Sequence, residues 1–296
     1  MRTVTVFLLA LCAKACLAQR GPCSQAMVAG TYAVSVQGTL ILPGPIPAPM
    51  ASLGTATIDL TGAASISGYQ SIGGEVSQFQ LTGTITVQSN CTASANFGGD
   101  ITENLVVQDA GAVLKSLTLT DGASGIPVTQ GEWKRISPRD EHSADCRQCG
   151  SNMEGEGPRR EDDFRSATNP VWCAPEIPIG NYAYRSSATV VLAEPPGPVP
   201  VTSLGIATFG LGGTDSLTAT TSIGGQVLPL AAAPTAPVVV SPNCTAIVTL
   251  NVTSQGVPVG QHQDFLVVLG GGTEIWDLTI KDFLGQSTEF GTMTRL

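Results

Sequence analysis

Charge is scarce in this chain. Only 12% of its 296 residues are Asp, Glu, Lys or Arg, and histidine occurs just twice, as His142 and His262. A Ser-His-Asp relay needs an imidazole beside a Gly-x-Ser-x-Gly elbow in an α/β frame, and no such elbow is present. Phosphate-binding loops and dinucleotide fingerprints are missing too; Gly270-Gly271-Gly272 falls between strand patterns and reads as a turn. No cofactor is therefore expected. Metal ligands are equally thin, since the lone C-x-x-C, Cys146 and Cys149, has only His142 nearby and so offers three ligands at most, short of a structural zinc set. Beyond the first residues no apolar run is long enough to span a bilayer as a helix. Lys and Arg number 14 against 23 Asp and Glu, a balance that disfavours nucleic acid and anionic membranes as partners.

What the chain has in abundance is Gly, Thr, Ser, Val and Ala, the composition of β-structure, and it has it twice. Cys23, Gly30-Thr31-Tyr32, Ser52-Leu53-Gly54, Ser71-Ile72-Gly73-Gly74 and Asn90-Cys91-Thr92-Ala93 return in order as Cys173, Gly180-Asn181-Tyr182, Ser203-Leu204-Gly205, Ser222-Ile223-Gly224-Gly225 and Asn243-Cys244-Thr245-Ala246. Leu105-Val106-Val107 returns as Leu266-Val267-Val268, and Gly131 to Arg135 as Gly291 to Arg295. This is a tandem duplication. The first copy alternates with a period of two over 31–36, 54–60, 79–87, 104–107, 114–120 and 131–135, with weaker strand signals over 65–69 and 92–97. The expectation is an all-β protein of two tandem homologous antiparallel barrels, about eight strands each. Closure into a barrel removes the edges that Thr/Val-rich strands would otherwise expose. Proline clusters at Pro43 to Pro49 and Pro195 to Pro200 follow the first strand of each copy and read as loops, because proline donates nothing to a ladder. The second copy carries a further insert, Pro229 to Pro242.

The expected boundaries are a signal peptide over 1–18, a first barrel over 19–136, a charged flexible linker over 137–168 and a second barrel over 169–296. Arg2, the apolar run Val4 to Cys12 and Cys16-Leu17-Ala18 before Gln19 form the secretory signal. Its removal takes away Arg2 and Lys14, leaving 12 basic against 23 acidic side chains, a net charge of −11. The linker gathers 13 charged residues from Arg139 to Arg165 without apolar periodicity, and Arg159-Arg160 in it is a candidate dibasic cleavage site. In a secreted chain the recurring cysteines pair most economically as Cys23–Cys91 and Cys173–Cys244, with Cys146 and Cys149 in a local or interchain disulfide. Asn90, Asn243 and Asn251 each open an N-x-Thr glycosylation acceptor.

Two acidic positions recur: Glu103 matches Asp264 and Asp121 matches Asp282. So do Gly30, Tyr32 and Arg135, as Gly180, Tyr182 and Arg295. Gly-x-Tyr on the first strand with a late arginine resembles the lipocalin and wider calycin pattern, in which Gly-x-Trp opens the barrel and an arginine packs over the ring. That resemblance implies a cation–π contact at the barrel floor and an interior that holds an apolar small molecule. Calycin-like and allene-oxide-cyclase-like barrels include carriers and enzymes that steer cyclisation by shape, without a nucleophile. Glu103, Asp264, Tyr69 and Trp276 are the candidate ligand-binding residues. The alternative function is that of a non-catalytic extracellular or cell-wall protein.

Overall fold

The computed structural model describes residues 22–41, 47–98, 101–121, 126–136, 173, 177, 179–192, 197–210, 215–283 and 285–296. Cys146, Cys149, residues 1–18, where a signal peptide is expected, and the whole of 137–168 lie outside them. The first copy begins with one helical turn, α1 (Gln25–Val28). Eight strands follow: β1 (Gly30–Ile41), β2 (Ala48–Ile58), β3 (Ala63–Ile72), β4 (Glu75–Val87), β5 (Thr92–Phe97), β6 (Ile101–Gln108), β7 (Val113–Asp121) and β8 (Ile126–Arg135). The second copy contributes β9 (Gly180–Leu192), β10 (Gly197–Phe209), β11 (Ser216–Ile223), β12 (Gln226–Pro234), β13 (Thr245–Ser254), β14 (Val257–Leu269), β15 (Glu274–Lys281) and β16 (Gln286–Arg295). Each strand pairs antiparallel with the next, β8 returns to β1 and β16 returns to β9, so both sheets are closed barrels. Among the described residues no helix is long and apolar enough to cross a membrane.

Alternation determines the interiors. In β5, Ala93, Ala95 and Phe97 point inward and are buried while Ser94 and Asn96 face solvent. Tyr32, Phe97, Leu105, Leu114 and Trp133 fill the base of the first barrel. There the Tyr32 hydroxyl lies 2.7 Å from the Gly111 carbonyl oxygen and 3.0 Å from that of Val28. The Arg135 guanidinium carbon stands 4.9 Å from the Tyr32 ring centre, and its Nη1 and Nη2 donate to the carbonyls of Ala29 and Met27 at 2.6 and 2.8 Å. The arginine thus ties α1 to the barrel floor through cation–π and charge-assisted contacts. Gly111 has φ +84°, and a Cβ there would lie 2.1 Å from the Met27 carbonyl oxygen. In the second barrel the Tyr182 hydroxyl donates to the Gly272 carbonyl at 2.7 Å, and Arg295 donates to that of Ile179 at 2.9 Å.

The expected disulfides are present: Cys23–Cys91 with Cα atoms 5.0 Å apart and Cys173–Cys244 with Cα atoms 5.1 Å apart. The proline clusters require a correction. Pro49 belongs to β2, Pro198 and Pro200 to β10, and Pro229 and Pro234 to β12. In an antiparallel strand the N–H and C=O of one residue point to the same side. Pro49 and Pro200 each sit one residue past the end of the neighbouring strand, β3 or β11. No ladder donor is needed there, and their carbonyls accept the turn amides of Gly73 and Gly224 at 2.8 and 3.1 Å. The prolines lengthen the hairpin lip instead of interrupting it.

The barrels meet along a largely apolar seam. The outer face of β1–β3, with Ala33, Ala51, Leu53 and Tyr69, packs against the outer face of β14–β16, with Phe265, Trp276, Leu278 and Phe290. The Tyr69 and Phe265 rings lie 4.9 Å apart. Ser71 Oγ donates to the Ser287 carbonyl at 3.1 Å, the Gly74 amide donates to Thr288 Oγ1 at 3.1 Å, and Lys134 pairs with Glu274. The two faces are not equivalent copies. Leu53 is fully buried in the seam, whereas its counterpart Leu204 is 68% exposed.

Candidate functional site

Of the four residues singled out from sequence, two point into barrels and two do not. Glu103 projects from β6 into the first barrel and Asp264 from β14 into the second, and both are buried. Tyr69 and Trp276 face outward into the seam, where Trp276 Nε1 donates to Glu274 Oε1 at 2.7 Å. On β3 and β15 the apolar outer face is covered by the other barrel, so the two aromatics pack there without facing a barrel interior, and each lines a groove where the barrels meet, Tyr69 beside Phe265 and Trp276 beside Phe290. Asn90, Asn243 and Asn251 are exposed. Asp121 is the last residue of β7, and Gly122 lies outside the described residues.

The upper half of the first barrel encloses an open-mouthed cavity of about 200 Å³. Val34, Met50, Ile66, Phe79 and Leu81 form apolar walls, and Glu103, Thr118 and Thr129 supply the polar points. Burial raises the Glu103 carboxyl above its ordinary range, with the Ser116 and Thr118 hydroxyls acting in the opposite direction. Glu103 Oε2 and Thr129 Oγ1 are buried without a hydrogen-bond partner. A cavity with mostly apolar walls and a few convergent polar atoms has the character of a small-molecule site.

The second barrel has the same scaffold with different chemistry. Strand by strand, Val34 is replaced by Tyr184, Val36 by Ser186, Ser116 by Asp277 and Thr129 by Glu289, while Thr118 and Thr279 are both threonine. His262 is added on β14. His262 Nε2 lies 2.8 Å from Asp264 Oδ1, and His262 Nδ1 lies 3.6 Å from Asp282 Oδ1. Thr279 Oγ1 donates to Asp264 Oδ1 at 3.0 Å. Ser186 and Tyr184 both donate to Glu289 Oε1, at 2.5 and 3.3 Å. Asp277 packs its carboxyl on Gly291, where a Cβ would lie 2.3 Å from Oδ1.

The electrostatics of this interior follow from burial and crowding. Burial opposes the charge on His262, but Asp264, Asp282 and Glu289 outweigh it and hold the imidazole protonated well above its ordinary range. Burial, and then repulsion from Asp264 and Glu289, pushes the Asp277 carboxyl well up, while His262 pulls it partly back. Burial raises Glu289 as well, against the charge of His262 and the Ser186 hydroxyl. Two small cavities, of about 60 and 50 Å³, meet at Tyr184, Leu217, Leu250 and His262. Among the described residues no group of three or more His, Cys, Asp or Glu has the geometry of a metal centre.

Fold and interior together define a tandem of closed eight-stranded barrels, one with an apolar cavity bearing a single acid and one with a buried acid–histidine cluster. No family model matches the chain, and no curated protein matches it. Several solved structures are similar to it at low identity. A mutant transferrin binding protein B from Haemophilus parasuis shares 7% identity over 90% of this chain and 76% of that one, with a TM-score of 0.31. A DUF3598-family protein of unknown function from Nostoc punctiforme shares 10% over 92% and 97%, with a TM-score of 0.23. A porin-like protein from Bacteroides uniformis shares 10% over 89% and 97%, with a TM-score of 0.22. At such scores these likenesses carry no functional argument.

Proposed function

We propose that this chain is a secreted tandem-barrel protein that binds an apolar small molecule in its first barrel. The observation that carries the reading is the cavity of about 200 Å³ with the unpartnered Glu103 Oε2 on its wall. Leaving a buried polar atom unpaired costs ~1–3 kcal/mol, a cost that a ligand removes by supplying the missing partner. With its carboxyl raised by burial, Glu103 presents a proton to a carbonyl or accepts one from a hydroxyl. The ligand class is therefore a compact apolar molecule with one such oxygen. Secretion is supported by the two disulfides and by the N-terminal signal pattern.

Native mass spectrometry of the protein secreted by its own host, followed by denaturing extraction, tests this reading. One apolar compound per chain is expected. Glu103→Leu removes one hydrogen bond of ~1 kcal/mol and should lower affinity for the extracted compound about fivefold while both disulfides still form. A clean apo mass with nothing extracted would count against the reading.

A further inference from the structure

We propose that the second barrel is a separate binding site for an organic cation: a protonated alkyl or aralkyl amine whose ammonium group sits among Glu289, Asp282 and Tyr184. Its apolar body would lie along Val201, Leu217 and Leu230, which with those three polar residues line one cavity. The argument starts from a charge inventory. The interior receives Tyr184 from β9, His262 and Asp264 from β14, Asp277 from β15, Asp282 from the turn after it and Glu289 from β16. Among the described residues lining the two cavities no Lys or Arg appears. The one cation, His262, is already engaged by Asp264 and Asp282.

A second observation points to a missing positive group. Asp277 is 1% exposed and its Oδ1 has no hydrogen-bond partner. It lines neither cavity but belongs to this cluster through its charge, which Asp264 and Glu289 repel and His262 attracts. Glu289 accepts both of its hydrogen bonds on Oε1, which leaves Oε2 for a ligand. The first barrel shows that the fold does not require Asp277 or Glu289, whose positions are filled there by Ser116 and Thr129, nor the polar Tyr184 and Ser186, replaced there by Val34 and Val36. A buried carboxyl surplus in an apolar barrel has the features of a site for a cation with a hydrophobic tail.

The test uses calorimetric titration of the intact secreted protein with n-octylamine and with octan-1-ol, which share a tail and differ in charge. The amine is expected to bind at least tenfold more tightly. Its affinity should rise between pH 6 and pH 8, because the bound ammonium favours ionised Glu289 and Asp277 and so expels protons, read as a buffer-dependent enthalpy; the amine itself stays charged, with a pKa of ~10. Glu289→Gln should bring octylamine down to the octanol level, Leu217→Trp should block octylamine, and Glu103→Gln, which acts only on alcohols held in the first barrel, should leave octylamine affinity where it was. Equal affinity of amine and alcohol for the unmodified protein overturns the proposal. So does amine binding that survives Glu289→Gln and disappears in Glu103→Gln, which would place the amine in the first barrel. Failure to find an apolar compound in the first barrel leaves this comparison intact.

Discussion

Single residues decide how stability responds to pH. Glu103, Asp277 and Glu289 all have carboxyls raised by burial. A raised acid costs nothing while it is protonated in both folded and unfolded chains, and its penalty grows as pH climbs from the unfolded value toward the folded one. His262 is also raised, so its stabilising ion pair is complete below pH 6.5 and is lost as pH rises through the higher folded value. All four groups act in one direction, and the thermal midpoint should fall between pH 5 and pH 9. Asp277→Asn removes one of the acid penalties and should raise the midpoint at pH 8 with little effect at pH 4; thermal unfolding by circular dichroism at both values checks this. Equal shifts at the two pH values would mean that Asp277 acts through packing on Gly291 and not through its charge. The acids also show what sequence pattern conceals. Glu103 and Asp264 stood out because they recur, whereas Asp277 lies between Trp276 and Leu278, which alternation assigns to the core and so turns the acid outward. The reverse holds because the seam buries the outer face of β15. Comparing the copies position by position, Ser116 with Asp277 and Thr129 with Glu289, is the signal that reveals the cluster.

At the scale of elements, the strands follow from their period-two patterns and Gly-rich turns. All eight expected in the first copy are present, most of them longer than expected where the barrel continues the ladder past the apolar core, with 92–97 unchanged and the second strand ending at Ile58 instead of Leu60. The prolines deceived a purely local reading, since whether a missing donor matters depends on where the neighbouring strand ends. The disulfides are element-scale devices of the same kind: each joins the segment before the first strand to the turn preceding the fifth, closing loops of 68 and 71 residues. The chain-entropy relation gives ~4 kcal/mol for such a loop. The Cys23→Ser, Cys91→Ser double variant should therefore lose about 4 kcal/mol in denaturant unfolding of the first barrel. A loss below 1 kcal/mol would show that the unfolded chain is already confined there without the bond.

At the scale of the whole molecule, duplication has produced two barrels joined through different faces. That arrangement buries Leu53 against Phe265, Leu278 and their neighbours and leaves Leu204 in solvent. Leu53→Asp places an unpaired charge in the seam, at a cost of several kcal/mol to docking. We expect the unmodified protein to unfold in one cooperative transition, and this variant to unfold in two with a larger radius of gyration in small-angle scattering, both barrels still folded. One unchanged transition would show that the seam does not couple them. The equivalent substitution Leu204→Asp lies on an open surface and serves as the control, with an expected change within ~0.5 kcal/mol.

Strand identity, the duplication and the two disulfide pairings are carried by local period and by repetition, and a reader of the chain finds them without coordinates. The inward or outward sense of Tyr69, Trp276 and Asp277, the choice of seam and the gathering of His262 with four carboxyls are not carried that way. Alternation says only that neighbouring side chains face opposite sides; which side is the interior depends on what a distant segment covers, and in this protein the second barrel covers part of the outside of the first.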